Sequence, residues 1–369
     1  MSILRSHGLY ILALVLCHIL TFLPLHCSFP VKTHTLNNTP SGKLQSQEKC
    51  DLFQGSWVFD NSFPLYDALD CPFIDAGLNC LKNGRPDKDY LKYRWKPDGC
   101  DLIRFDGQDF LKRFSGKRIM FVGDSLSSNQ WQSLACMLQA AAPSSNYILD
   151  SGKALTNLSF PEYGVSVMFL KNGFLVDLVF EEVGKVLKLD SISRSGLWNE
   201  NDVLIFNSYH WWMHTGKSQT WDYFRVGDQL SKDMDHMEAF KIALTTWAKW
   251  VDSNIDPAKT RVFFQGISAV HYHGADWSEP SVRDCSGQTK PLQGSKYPGN
   301  RYPGEAIVKS VLTSMTKPVY LLDIALLTQL RKDGHPSNYA LGPRDCSHWC
   351  VAGVPDACNQ LLNTILVQM

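Results

Sequence analysis

The chain has 369 residues, 44% hydrophobic and 20% charged, so it can bury a large core without needing covalent staples to fold. Lys plus Arg and Asp plus Glu balance at 36 each, a neutral total that excludes nucleic acid as a partner gripped through its phosphates. Eleven cysteines in a reducing compartment would mean metal or redox chemistry, whereas in an oxidising lumen they mean disulfides, so compartment decides their role.

Arg5 and His7 precede an apolar run from Gly8 to Leu25, broken only by His18 and Thr21. The run exceeds a typical signal-peptide core and approaches the lower limit of a membrane span. Leu25-His26-Cys27-Ser28 lacks the small-x-small cleavage pattern. Residues 1–28 are therefore read as an uncleaved signal anchor with a luminal body, a cleaved signal peptide being the alternative. Sequons at Asn37 and Asn157 agree with a lumen and mark both as candidate glycosylation sites. Residues 29–49, rich in Pro, Thr, Asn, Ser, Gln and Lys, read as a flexible stem.

Residues 50–101 hold Cys50, Cys71, Cys80 and Cys100 among many aromatics and turn residues, with poor apolar periodicity. This is the pattern of a small disulfide-rich, loop-rich subdomain. Within it, Tyr93-Arg94-Trp95-Lys96-Pro97 alternates aromatic and basic residues, as a packed cross-strand ladder or a sugar-stacking surface would; the ladder is preferred.

From residue 102 to 369 strands and helices alternate. Ile119–Val122 is a short apolar run suited to a strand buried on both faces, and a helix is expected from about Leu126 to Ala140. Val165–Glu182 reads as a hairpin around Asn172-Gly173. Val203–Phe206 is another buried strand, Met234–Val251 has helical spacing, and 262–264 and 319–322 are further strands. The expected fold is α/β, a sheet with helices on both faces, in which ligands bind beyond the carboxyl ends of the strands. Gly123-Asp124-Ser125 and Asn207 both fall at such ends.

Gly123 allows a sharp turn out of the strand and puts Ser125 at a helix start, where a free N–H and the helix dipole favour negative charge. A serine so placed can attack a carbonyl and donate to the resulting oxyanion. Asp124 and Ser125 as plain helix-capping residues are the alternative. Asp345-Cys346-Ser347-His348 supplies an imidazole and a carboxylate three residues apart, Asp345 fixing the tautomer and His348 taking the serine proton. Asp333-Gly334-His335 is a rival pair, less favoured because Cys346 and Cys350 could pin the later loop covalently. Asn207 could complete an oxyanion hole, and the following Tyr209, His210, Trp211 and Trp212 would form a sugar platform if exposed and ordinary core if buried. Histidines 210, 214, 271 and 273 with Cys346 and Cys350 lack the C-x2-C spacing of zinc sites, so no metal is expected.

Three motifs carry a family resemblance: Met120-Phe121-Val122-Gly123-Asp124-Ser125-Leu126, Arg331-Lys332-Asp333-Gly334-His335-Pro336-Ser337, and Asp345-Cys346-Ser347-His348-Trp349-Cys350. Together with Cys50-Asp51-Leu52-Phe53 they make the chain, from about Lys49 onward, similar to the plant trichome birefringence-like family, which includes the powdery mildew resistance protein and xylan O-acetyltransferases. The resemblance implies an SGNH-hydrolase-like parallel sheet flanked by helices, with Ser125 as nucleophile, His348 as base and Asp345 as its partner. It implies ping-pong transfer of an acetyl group from a donor (acetyl-CoA or another, as co-substrate with no bound cofactor) to a cell-wall polysaccharide hydroxyl, in the Golgi lumen. Gly123, Asp124, Asn207, His210, Trp211 and Trp212 are the candidate oxyanion and substrate residues. Two departures bear on the acceptor. Tyr209 replaces the family's Gly in Asn-x-Gly-His-Trp-Trp, and Ile267-Ser268-Ala269-Val270-His271 replaces its Ser-Pro-Glu-His. The short stem is similar to the powdery-mildew-resistance branch, which points to pectin. A secreted acetylesterase and a non-catalytic wall-binding protein are the competing functions. Pairings Cys50–Cys100 and Cys71–Cys136 are expected, with at least one cysteine left over.

Overall fold

The computed structural model describes residues 50–369. Its first strands, β1 (Gly55–Phe59) and β2 (Tyr93–Pro97), form an antiparallel ribbon in which Trp57 faces Trp95 and Phe59 faces Tyr93. The aromatic-basic segment is thus a packed ladder. Helix α1 (Gly107–Arg113) is capped by Asp106, whose carboxylate accepts from the N–H groups of Gln108 and Asp109. Strand β3 (Arg118–Gly123) and helix α2 (Ser125–Ala141) fall where the sequence places them. Strands β4 (Ile148–Ser151), β5 (Leu155–Phe160), β6 (Val165–Lys171), β7 (Asp177–Glu181), β8 (Gly184–Lys188) and β9 (Val203–Phe206) follow. The chain then runs through β10 (Tyr223–Val226), β11 (Gln229–Ser231), α3 (His236–Asn254), β12 (Arg261–Gln265), α4 (Pro303–Ser314), β13 (Tyr320–Leu322), α5 (Ala325–Gln329) and α6 (Val354–Gln368).

The main sheet has seven strands in the order β13-β12-β9-β3-β6-β5-β4. The strands from β13 to β6 are parallel to one another, and β5 runs antiparallel to both its neighbours. The alternation of β3 sorts its side chains between two cores. Ile119 and Phe121 face a cluster completed by α2 and α6, while Met120 and Val122 face one completed by α3 and α4. Each such side chain, fully removed from water, contributes about 1.5–3 kcal/mol. Helices therefore cover both faces, as expected of a parallel sheet.

The expected hairpin at 165–182 is not formed. Strand β6 is taken into the main sheet between β3 and β5, and β7 joins a separate four-stranded sheet ordered β11-β10-β8-β7. The physical reason is that β6 is apolar on both faces, so it is consumed as an inner strand and not as one arm of a half-exposed ribbon. Asn172 instead donates its N–H to Gly123 O at 2.8 Å, bringing the turn to the end of β3.

Residues 50–101 share the first core, contributing Trp57, Tyr66, Tyr90 and Trp95 to it. Trp57 Nε1–H donates to Leu327 O at 2.8 Å. Four disulfides close the body: the expected Cys50–Cys100 and Cys71–Cys136, and also Cys80–Cys350 and Cys285–Cys346. Cys358 is the leftover cysteine among the described residues and is buried. No helix among the described residues is long and apolar enough to cross a membrane. The expected anchor in 1–28, the stem at 29–49 and the Asn37 sequon lie outside the described residues.

Candidate active site

Strand β3 ends at Gly123 against the turn after β9. A Cβ there would lie 2.6 Å from Asn207 O and would also collide with Ser127 Oγ, so the two strand ends approach as closely as they do only because residue 123 is glycine. Asp124 is wholly buried and caps α2, accepting the Leu126 N–H at 2.9 Å. The Asn207 amide, with its nitrogen turned toward Asp124, donates to that carboxylate at 2.6 Å. The capping role considered for this motif thus belongs to Asp124. Ser125 is the first residue of α2, half-buried, with a backbone N–H that the helix ladder does not use.

His348 lies opposite. Its Nε2 is 2.7 Å from Ser125 Oγ and its Nδ1 is 2.7 Å from Asp345 Oδ2. With Nδ1–H donating to the carboxylate, Nε2 presents a lone pair to the serine hydroxyl, the arrangement a general base requires. The other Asp345 oxygen accepts from the backbone N–H groups of Ser347 and His348 at 2.9 and 3.0 Å, and from Ser347 Oγ. Burial alone would raise the Asp345 carboxyl, but these donors and the adjacent imidazole hold it well below the usual carboxylate range. Burial likewise works against a charge on His348. The bond to Asp345 and the charges of Asp345, Asp124 and Asp75 outweigh it, so His348 sits above its ordinary 6.5.

The loop carrying this pair is clamped at several points. Cys346 is tied to Cys285 and Cys350 to Cys80, so both cysteines expected to pin it do so. Asn129 holds Trp349 from both sides, its Oδ1 accepting the Trp349 N–H at 2.9 Å and its Nδ2 donating to Trp349 O at 3.1 Å. Asn129 is one helical turn beyond Ser125, on the same face of α2, so one helix fixes both the hydroxyl and the loop bearing its base. Sequence reading missed Asn129; the four-residue spacing from Ser125 was its only signal.

Ser125, Asp345 and His348 open into a cavity of about 340 Å³ whose other walls are Asp75, Gly77, Leu78, Ser128, Ala340, Leu341 and Pro343. The N-terminal subdomain therefore forms one wall, which the sequence did not reveal. A second cavity of about 270 Å³, lined among others by Lys296, Tyr297, Arg301 and Gln329, touches none of the three.

The aromatic cluster after Asn207 is divided. Trp212 is fully buried, with Nε1–H donating to Ser208 Oγ at 2.9 Å, and so cannot contact substrate as expected. Its turn directs it into the core beneath α3, where Phe174 and Phe240 pack on it. Tyr209 is also buried, packed against Gly304 at the start of α4, so the departure at this position fills the core and does not line the cavity. His210 and Trp211 remain half-exposed. His210 Nε2 lies 3.0 Å from Ser268 O, and burial pushes its pKa down. Trp211 lies against Gly173, where a Cβ would meet its ring at 2.8 Å, and stacks on His214. Asn157 is half-buried within β5, opposite Asp150 and Met168. The rival pair does not approach Ser125 as a base. Asp333 is engaged by Arg331 at 2.8 Å, and His335 contacts the His348 carbonyl.

Two family models cover the chain. Residues 102–365 match the GDSL/SGNH-like acyl-esterase family found in Pmr5 and Cas1p, and residues 48–101 match the PMR5 N-terminal domain. Among curated relatives from Arabidopsis thaliana, protein trichome birefringence-like 42 is 60% identical over 86% of this chain and 89% of its own length. Protein trichome birefringence-like 38 is 53% identical over 88% of this chain and 86% of its own. Protein trichome birefringence itself is 38% identical over 88% of this chain and 57% of its own. With an acyl-esterase family match over the sheet and full-length relatives of this identity, the chain belongs to the trichome birefringence-like family of SGNH-like proteins, whose chemistry is acyl transfer or hydrolysis.

Proposed function

We propose that this chain is a polysaccharide O-acetyltransferase working through an acetyl-serine. The observation that carries the reading is the continuous line from Ser125 Oγ through His348 to Asp345, with both links at 2.7 Å, at the floor of a cavity large enough for an acyl group and a sugar. In the first half-reaction His348 takes the Ser125 proton as Oγ attacks the donor carbonyl. The oxyanion is stabilised by the Ser125 N–H, and the donor's leaving group departs with the proton from His348. In the second, His348 deprotonates a sugar hydroxyl, which attacks the acetyl-serine and regenerates Ser125. The acceptor is a plant cell-wall polysaccharide, with pectin the first to test, and Trp211 and His210 are its candidate contacts. A Golgi-luminal setting agrees with the disulfides of the body.

Hydrolysis is the second reading. Ser125 and His348 are only part-buried, and water in place of the sugar hydroxyl would release acetate by the same steps. The deciding experiment incubates the secreted body, residues 29–369, with an acetyl donor and deacetylated pectin, xylan and mannan oligosaccharides, and in parallel with the acetylated polymers alone. Acetylated oligosaccharide that disappears in Ser125→Ala supports transfer. Free acetate from acetylated polymer, with no transfer, assigns an esterase, and activity that survives Ser125→Ala contradicts both.

A further inference from the structure

The segment Arg331–Ser337 is a motif for which the proposed reaction has no use, yet it is bound along the loop that carries His348. Ser337 N–H donates to Asp345 O at 2.7 Å, Asp345 N–H returns to Ser337 O at 3.2 Å, and Cys350 N–H donates to Gly334 O at 2.9 Å. A Cβ on Gly334 would lie 3.1 Å from the Trp349 ring. The segment is itself immobilised. Arg331 is fully buried, pairs with Asp333 at 2.8 Å and donates to Tyr90 O. Lys332 meets Glu279 at 2.6 Å, and Arg85 donates to the carbonyls of Asp333 and His335 at 2.7 and 3.1 Å. It forms a splint for residues 345–350.

His335 stands between splint and loop. Its ring stacks on Trp349 with centroids 4.0 Å apart. Its Nδ1 is 2.6 Å from His348 O, and its Nε2 is 2.7 Å from His271 Nδ1. His271 Nε2 in turn lies 3.0 Å from Gln329 O. The row has three contacts, each needing one N–H, but two neutral imidazoles bring only two. Burial disfavours a third proton, pushing His271 to about 4 and His335 below its ordinary value. A bare nitrogen 2.6 Å from a carbonyl oxygen would set lone pair against lone pair, so the shortest carbonyl contact must hold a proton. That puts N–H on Nδ1 of His335, turns the His271 Nδ1–H toward His335 Nε2, and leaves the longer contact to Gln329 O without one.

We infer that His335 is a positioning residue for the proposed reaction: its Nδ1–H holds the His348 carbonyl, and through it the imidazole facing Ser125, while His271 locks the tautomer that makes this possible. The inference rests on the Ser125–His348 reading above. Losing the donor frees the base's own backbone carbonyl, and misplacement of about 1 Å costs about 100-fold in rate.

The test uses the whole luminal body and a fluorophosphonate probe, with labelling of the Ser125 peptide read by mass spectrometry and folding checked by thermal unfolding. Asn at 335 carries an amide nitrogen at the place of Nδ1, and Gln carries one at the place of Nε2. His335→Leu and His335→Gln are expected to lower the Ser125 labelling rate about 100-fold, with His335→Asn restoring it to within about tenfold of wild type. Kinetics on an acetyl ester are expected to show the loss in kcat and not in KM. Should His335→Leu fail to fold, the Asn and Gln pair decides alone. Equal labelling by Asn and Gln, or wild-type labelling by a folded His335→Leu, overturns the inference. Failure of the wild type to label at Ser125, or labelling that survives His348→Ala, instead overturns the reading on which it rests.

Discussion

His348 Nε2 lies 2.7 Å from Ser125 Oγ although 223 positions separate the two residues. The contact is made by two constructions, a strand-to-helix turn that presents the hydroxyl and a disulfide-clamped loop that presents the imidazole, joined by Asn129 of α2. Each construction makes predictions of its own.

Asp345→Asn keeps the shape of the carboxylate but offers an N–H to His348 Nδ1, which favours the tautomer that turns a proton toward Ser125. The expected result is a fall in kcat of about 10⁴-fold with an unchanged melting temperature. Steady-state kinetics on an acetyl ester, alongside thermal unfolding, checks it.

Activity should depend on pH through His348. Its pKa is raised above 6.5, so below that raised value it is protonated and cannot take the serine proton. The expected kcat/KM profile has an acid limb with its midpoint above 6.5, falling as pH falls. In Asp345→Ala only the charges of Asp124 and Asp75 are left to oppose burial, and the midpoint should move down. A rate profile across mildly acid to neutral pH measures both.

Gly123→Ala drives a methyl group into Asn207 O and Ser127 Oγ. Relief requires the ends of β3 and β9 to part, at a cost of about 1–3 kcal/mol, and the Ser125 turn moves with them. Activity should fall further than stability, as denaturant melts and kinetics on the same preparation would show.

The two tryptophans should separate stability from binding. Trp212→Ala removes a fully buried indole and should cost about 3–5 kcal/mol of stability. Trp211→Ala, half-buried and packed on Phe174, should cost clearly less stability than Trp212→Ala and raise KM for polysaccharide about three- to tenfold.

Breaking the Cys285–Cys346 bridge, which closes a separation of 61 residues, should lower stability by about 2–5 kcal/mol. Because Cys346 is next but one to His348, Cys285→Ser with Cys346→Ser should also slow Ser125 labelling by a fluorophosphonate in the fraction that remains folded.

What the sequence disclosed follows from what is local in it. The strand at 119–122, the helix after it and the serine between them are written in consecutive residues, as are Asp345 and His348 and the two cysteines that fix their loop. Periodicity could not tell whether Val165–Lys171 would pair with its own successor or with β3, because an inner strand and a hairpin arm begin with the same apolar run. Nor could it tell Trp211 from its neighbour Trp212, since one turn of irregular backbone decides which indole faces solvent. Asp75, Gly77 and Leu78 on the cavity wall were hidden because their roles exist only after residues 50–101 pack onto α2 and α6, and Asn129 because its partner Trp349 lies 220 positions away.

Transfer through Ser125 requires a covalent acetyl-serine, and the most direct measurement is peptide mass spectrometry of residues 29–369 after brief incubation with an acetyl donor and no acceptor. One acetyl group on the peptide containing Ser125, absent in Ser125→Ala and discharged when oligosaccharide is added, is the expected result. Acetyl transfer to oligosaccharide with Ser125 never modified, or undiminished in Ser125→Ala, would contradict it.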